Sequence, residues 1–455
     1  MKVLLEPARS VSWGLYMKSG NYKAQIITLT IITGVICGYI LGVIAMIMPS
    51  LVNQQYMLKE QISLLAGALL LGCFISSIYT GGLCDAIGRR KVILMTMAIY
   101  VIGIIYFIIA KNYYHLYAAR FIQGVAYGMC EIVMPLYLVE VSETKWRGQI
   151  ITLFKMANTG GALVASLVWI FISVIYYPAA FGIVLLIPLW VFWLIKKLPE
   201  SPRWLISKRK NLEAGIALER INSQTAIQVF AEISNASGSI KAGVGDLLKR
   251  DNLLPFLIIL AAVSLNQLTG INVFVQNSLQ VLKDSGLSSD IVGLFGNISI
   301  SLVNFAAMTA TLFLVEKIGR KRILIIGTSG LLLTLLLLFI AHTLLPAGEA
   351  IGYITLIGIV LVVGFFAFGP GALILVISTE LLPNNVRGVA ISIAFTFGAL
   401  VGTIFVSWFG SLVAVIGYAK LFMLMSVFVF CYLLISLYIP ETKGKSLEKI
   451  NWKKS

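Results

Sequence analysis

Long apolar runs separated by short polar stretches dominate this chain, and the length of the runs sets its class. A helix rising 1.5 Å per residue needs roughly twenty apolar residues to cross about 30 Å of hydrocarbon. Twelve such runs occur, near 24–48, 60–84, 92–110, 115–139, 149–174, 178–195, 254–281, 290–315, 322–343, 350–378, 389–414 and 418–439. They are continuously apolar, without the two-residue alternation of a barrel strand, so they predict helices. The pattern predicts an all-α membrane protein with twelve transmembrane helices.

The polar stretches between the runs repeat. Asp85-x-x-Gly88-Arg89-Arg90 returns as Glu316-x-x-Gly319-Arg320-Lys321, 231 positions later. Glu140 with Arg147-Gly148 returns as Glu380 with Arg387-Gly388 at an offset of 240, and Pro199-Glu200-Ser201 as Pro440-Glu441-Thr442 at 241. These pairs follow the second and eighth, the fourth and tenth, and the sixth and twelfth runs. Three markers in one order predict two pseudo-symmetric six-helix halves, 1–198 and 253–455, the second ending in a short tail. Halves of this kind place a substrate site between them near the membrane midplane. Residues 199–252 are polar and basic and predict short helices on the inner face, with a solvated linker as the alternative.

Composition agrees with a lipid setting. Of the residues, 59% are hydrophobic and 12% charged, where a soluble domain keeps close to a quarter charged. The net charge of +16 raises the question of nucleic acid, and its distribution answers it. With the N-terminus inside, 29 of the 35 Lys and Arg fall in inner segments. The positive-inside rule then places both termini in the cytoplasm, and the basicity is topological, with no nucleic-acid partner. No cleavable signal is apparent, and the short outer loops point to a bacterial inner membrane. Cys37, Cys73, Cys84, Cys130 and Cys431 lie in or beside the runs without metal-ligand spacing, so they read as packing residues. No metal, cofactor or enzymatic activity is expected, since no nucleophile–base pair or phosphate-binding loop is present. His115 and His342 read as polar residues near helix ends.

The motifs resemble one family. Gly81-x-x-x-Asp85-x-x-Gly88-Arg89-Arg90 is similar to the general signature of the major facilitator superfamily. Arg120-x-x-x-Gly124, Pro135-x-Tyr137-x-x-Glu140, Arg147-Gly148, Pro199-Glu200-Ser201-Pro202-Arg203-Trp204-Leu205 and Pro440-Glu441-Thr442-Lys443-Gly444 resemble its sugar porter family. Asn266-Gln267-x-x-Gly270-Ile271-Asn272 resembles that family's motif in the seventh helix, with Asn for its first Gln. The resemblance spans about residues 30–450 and implies the major facilitator fold. It implies alternating-access transport of a small polar solute through the lipid bilayer by a monomer, with or without protons.

The inner-face carboxylates Asp85, Glu140, Glu316 and Glu380, with Glu200, stand near Arg89, Arg147, Arg320 and Arg387. In the family such groups close an inner gate, each interfacial pair being worth only about 0–1 kcal/mol; topology anchors with no gating role are the alternative. Gly364 and Gly369-Pro370-Gly371 interrupt the tenth run and predict a flexing point, because proline removes a backbone hydrogen bond. Thr269-Gly270 is a weaker break in the seventh. A passive packing kink is the alternative for both.

The pocket departs from the family. Gln267, Asn272 and Asn304 match its hydroxyl-binding positions, and amides suit that task because they donate and accept together; Asn266, Gln276 and Asn277 are further candidates. Leu375 stands where a stacking Trp is usual, Gly398-Ala399 where Asn-Trp is, and Gln276-Asn277 where paired Tyr are. Lys155 replaces a sugar-binding Gln, and Glu131 a small polar residue. Each charge costs about 2.5–3.5 kcal/mol at mid-helix, and mutual pairing is the cheapest remedy. Glu131 shares a stripe with Gly124, Gly128 and Pro135, and Lys155 with Asn158 and Ala162, so both are expected to face the cavity. They form either a structural ion pair or a charged-solute or proton site. Ile40 occupies the place of the family's proton-carrying Asp, leaving Arg120 without that partner. Transport is then facilitated diffusion, or Glu131 has taken over the proton. The expected solute is a sugar, polyol or similar molecule; the alternative is an organic anion or zwitterion held by Lys155 and Glu131. A non-transporting nutrient sensor comes last.

Overall fold

The structure, a computed structural model, describes residues 19–53, 58, 61–142, 147–171, 181–182, 184–221, 226–236, 247, 249–287, 290–346, 348–382 and 386–441. Among these residues it contains sixteen helices and no strand. The first five runs form α1 (Ser19–Asn53), α2 (Ile62–Ile87), α3 (Arg89–Ile108), α4 (Tyr113–Val141) and α5 (Arg147–Phe171). Part of the sixth forms α6 (Leu186–Lys196); residues 172–180 lie outside the described residues. Three short helices follow, α7 (Pro202–Ser207), α8 (Asn211–Ile221) and α9 (Ala226–Ala236), packed through Leu205, Ile206, Ala214 and Ala217.

The seventh run is divided into α10 (Arg250–Leu268) and α11 (Ile271–Asp284) by Gly270 at φ 86°. The eighth and ninth are α12 (Asp290–Ile318) and α13 (Arg320–Leu344). The tenth is split at Gly369 into α14 (Glu349–Phe368) and α15 (Pro370–Leu381), which places the predicted break at Gly369-Pro370-Gly371. The last two runs form α16 (Arg387–Tyr438), whose 52 residues contain a non-helical Gly417 at φ 75°. A straight helix of that length would measure about 78 Å, so Gly417 separates two crossings. Ten stretches among the described residues are long and apolar enough to span a membrane. Large apolar side chains such as Ile78, Ile102, Phe313, Leu333 and Trp408 point outward, as a surface solvated by lipid requires.

The two halves pack alike. In the first, α1 lies on α5, and α4 on both α2 and α3; in the second, α10 lies on α16, and α14 on both α12 and α13. The halves meet where α2 contacts α16, α5 contacts α12, and α1 contacts α11.

Small residues bring the backbones together, as in membrane helix pairs generally. Gly34, Gly38 and Gly42 recur every fourth residue on α1 and press against Ala157, Asn158 and Ala162 of α5; a Cβ on Gly38 would sit 1.6 Å from the Asn158 carbonyl oxygen. Gly124 and Gly128 of α4 press likewise against Leu69 and Cys73 of α2. The stripes shared by Glu131 and by Lys155 are largely packing seams against α2 and α1, and the two charges stand at the seams' edges.

Gly38→Ala should lower stability by about 1–3 kcal/mol or more, the usual cost of overpacking, read as a fall in the thermal unfolding midpoint in detergent. Gly81→Ala, where no heavy atom lies within 4 Å of the added Cβ, should not lower it.

Candidate functional site

At the basic face, helix ends are tied by carboxylates. The Arg89 guanidinium donates to both Glu140 oxygens, at 2.9 and 3.2 Å, and lies 3.1 Å from Asp85. Glu200 plays a different part from the one expected of it. Its carboxylate accepts from the backbone N–H groups of Arg89 and Arg90 at 3.1 to 3.2 Å and of Ser201 at 2.9 Å, so it closes the N-terminus of α3. Glu441 does the same for α13, accepting from Arg320 N at 3.0 Å and Lys321 N at 3.1 Å. Exposed N–H groups and the helix dipole favour an anion at such an end. Gly88 and Gly319 precede the two helices at φ 96° and 103°, and a Cβ on either would come within 2.6 Å of the carboxylate. Burial pushes the Glu200 carboxyl above its ordinary range, while the N–H groups and Arg89 pull it back.

Glu441 was not anticipated as a functional residue, although its recurrence with Pro440 was the available signal. The ion pairs of Arg89 with Glu140 and Asp85 lie within the first half. The side chains of Arg147, Glu316, Glu380 and Arg387 lie outside the described residues.

Deeper in the first half, Lys155 of α5 is ion-paired with Glu131 of α4, and Asn158 Nδ2 donates to the other Glu131 oxygen at 2.9 Å. The Lys155 and Glu131 side chains retain 30% and 17% of their exposure. Cys37 of α1, Cys73 of α2 and Tyr127 of α4 lie near the pair. Asn158, a stripe neighbour of Lys155, is Glu131's second partner. Arg120 is wholly buried. It donates to the Ile40 carbonyl at 2.7 Å and to Gln123 Oε1 at 3.1 Å, and its Nε and second terminal nitrogen meet no partner among the described residues. Main chain, at Ile40, thus supplies Arg120's shortest hydrogen bond.

The second half contributes amides. Asn272 Nδ2 of α11 donates to Gln267 Oε1 of α10 at 2.8 Å. Gln267 lies along Gly398 and Gly402 of α16, so the loss of side chains there admits it to that helix's backbone. Gln276 and Asn277 are buried, and none of their four amide atoms has a partner among the described residues; nor has Asn266 Nδ2. Asn277 also breaks the helical geometry of α11, at φ −118° and ψ 15°. An unsatisfied buried polar group costs about 1–3 kcal/mol, which sets these amides apart from the bonded pair Asn272–Gln267. Asn304 is half-buried on α12, in a helix whose Phe305 touches Gly160 of α5. At the tenth-run break, Thr311 donates to the Phe368 carbonyl at 2.7 Å. His115 and His342 bond Tyr106 and Thr355, each at 2.8 Å.

The sequence profile described as "Sugar (and other) transporter" matches residues 26–453. The chain belongs to the sugar porter family of the major facilitator superfamily. This porter is 28% identical to the major myo-inositol transporter IolT of Bacillus subtilis (strain 168), with 95% of each chain covered. It is also 28% identical to the facilitated trehalose transporter Tret1 of Polypedilum vanderplanki, covering 89% of this chain and 83% of that one. Its fold matches the xylose transporter XylE from E. coli in a partially occluded inward-open conformation, with a TM-score of 0.77 at 23% identity over 94% of this chain and 100% of that one. It matches the proton:xylose symporter XylE bound to 6-bromo-6-deoxy-D-glucose with a TM-score of 0.78, at 23% identity over 95% and 99%. These relatives are transporters, and the porter is not an enzyme.

Glu200→Ala and Glu441→Ala should each lower stability by about 1–2 kcal/mol, the scale of a carboxylate at a helix N-terminus plus its lost hydrogen bonds. Thermal unfolding of the two variants reads this, and losses of similar size are expected because the geometry is the same.

Proposed function

We propose that this multi-pass membrane protein carries an uncharged, polyhydroxylated solute, a sugar or polyol, by alternating access and without proton coupling. One observation carries the reading. Lys155 and Asn158 occupy both Glu131 oxygens, so the charged part of the site is electrically closed. A closed pair offers spare N–H donors and carboxylate lone pairs to hydroxyl groups but no net charge to draw an anion. Glu131 would have to release Lys155 to take up a proton. Arg120, bonded to the Ile40 carbonyl, has no carboxylate within ion-pairing distance among the described residues. The amides of Gln267, Asn272, Gln276 and Asn277 supply neutral donors and acceptors from the facing half.

The names of similar proteins support a sugar or polyol and leave coupling open, since they include both a facilitated transporter and a proton symporter. One chain supplies both halves of the site, so the monomer is the working unit. Both termini lie in the cytoplasm, in a bacterial inner membrane. A second reading has one observation in its favour: Glu131 is a half-buried carboxylate at membrane depth, the place for a proton-carrying acid.

Solute uptake by proteoliposomes should reach the outside concentration and stop there, with an inward pH gradient altering neither rate nor extent. Accumulation driven by the gradient and lost in Glu131→Gln would overturn this in favour of the second reading. In a thermal-shift screen, sugars or polyols should stabilise the protein and small organic acids should not. Lys155→Gln strands Glu131 and should weaken solute binding more than Lys155→Gln combined with Glu131→Gln, because one uncompensated buried charge costs more than a neutral pair. Equal binding by the two variants would remove the pair from the site.

A further inference from the structure

Well away from Lys155, the halves are joined by a cluster of small polar side chains for which the transport reading has no role. Ser166 Oγ of α5 lies 2.9 Å from Asn297 Oδ1 and 3.0 Å from Ser301 Oγ, both on α12. Asn297 Nδ2 donates to Ser278 Oγ of α11 at 2.5 Å. All four are buried, at 1% for Ser166, 3% for Asn297, 0% for Ser278 and 9% for Ser301. Proton bookkeeping gives one chain of bonds. Ser301 donates to Ser166, Ser166 to Asn297, and Asn297 to Ser278. Ser166 has a second acceptor in its own helix, the Ala162 carbonyl at 3.1 Å, to which its hydroxyl can turn when Asn297 moves away.

The cluster has a defined depth. Ser278 precedes the capped end of α11 at Asp284, and Asn297 and Ser166 are bonded in line beside it. Each is within about two helical turns of the face opposite the basic one. Lys155 lies about 16 Å further along α5, so the cluster is no part of the solute site. Serine and asparagine suit a joint that must open. Water entering an opened mouth replaces each of their hydrogen bonds one for one, leaving neither state strongly preferred.

We propose that Ser166, Asn297, Ser278 and Ser301 form the interlock that shuts the cavity at the face opposite the basic one. They are positioning residues of the transport cycle and do not touch the solute. The proposal rests on the transport reading above, and its test has an arm that needs no solute. Hydrogen exchange of the purified protein should quicken in residues 271–284 and 290–301 by about fivefold to thirtyfold in Asn297→Ala, the range expected for loss of one or two such bonds. Exchange equal to wild type would overturn the interlock.

The second arm is covalent. Serine oxygens 3.0 Å apart put their β-carbons near the spacing of a disulfide. Ser166→Cys combined with Ser301→Cys, oxidised with copper phenanthroline in proteoliposomes, should lose uptake and regain it with dithiothreitol. Each single variant should keep uptake under oxidation. Full crosslinking with uptake intact would overturn the proposal, and so would failure of the two cysteines to crosslink. A wild-type protein that transports nothing while Asn297→Ala still quickens exchange would instead count against the transport reading alone.

Discussion

Hydrocarbon offers no hydrogen bonds, and the rest of the structure follows from that constraint. Every backbone N–H and C=O within the bilayer must be met by the protein itself, which makes each apolar run a helix. The same demand falls on every polar side chain. Lys155 and Glu131 answer it by meeting one another, with Asn158 completing the shell. Arg120 answers it with a main-chain carbonyl. At the membrane edge, Glu200 and Glu441 answer it for the two helices whose first N–H groups would otherwise end bare.

Scaffold and chemistry divide differently between the halves. Packing repeats almost contact for contact: α1 on α5 corresponds to α10 on α16, and α2 on α4 to α12 on α14. The glycine-and-carboxylate closure repeats as well, at Gly88 with Glu200 and at Gly319 with Glu441. The site does not repeat. The first half presents a charged pair, and the second presents neutral amides, several of them unsatisfied. A duplicated frame thus holds unduplicated chemistry, and the solute proposed to bridge it would meet ionic hydrogen bonds on one side and amide hydrogen bonds on the other.

Much of the fold was legible in the sequence because its signals are one-dimensional. Run length gives crossings, and the recurrence of Asp85 to Arg90, Glu140 and Pro199 to Ser201 gives two halves. The break at Gly369-Pro370 was visible because proline acts on its own backbone. The orientation of stripes was less legible. Gly124, Gly128 and Glu131 share a helix face, but that face is wide enough to carry both a packing seam and a site. Only the partner helix shows which residue does which. The capping by Glu200 was less legible for a related reason: a carboxylate near arginines suggests side-chain pairing, and main-chain N–H partners leave no mark in the sequence. The cluster at Ser166 and Asn297 left no trace at all, since lone serines and asparagines in apolar runs have no spacing that marks them.

The seam between α1 and α5 has a consequence for how this pocket changes over generations. Gly34, Gly38 and Gly42 leave no play between the two backbones, so Lys155 and Asn158 inherit their positions from a helix that supplies neither. A change on the face of α1 that meets α5 would shift both residues relative to Glu131 as one rigid unit. Selection for a new solute would therefore find productive variants among silent-looking neighbours such as Val35 and Ala157 as well as in the cavity wall. With the proposed site, the determinants of preference would extend beyond the pocket into the helix packed against α5.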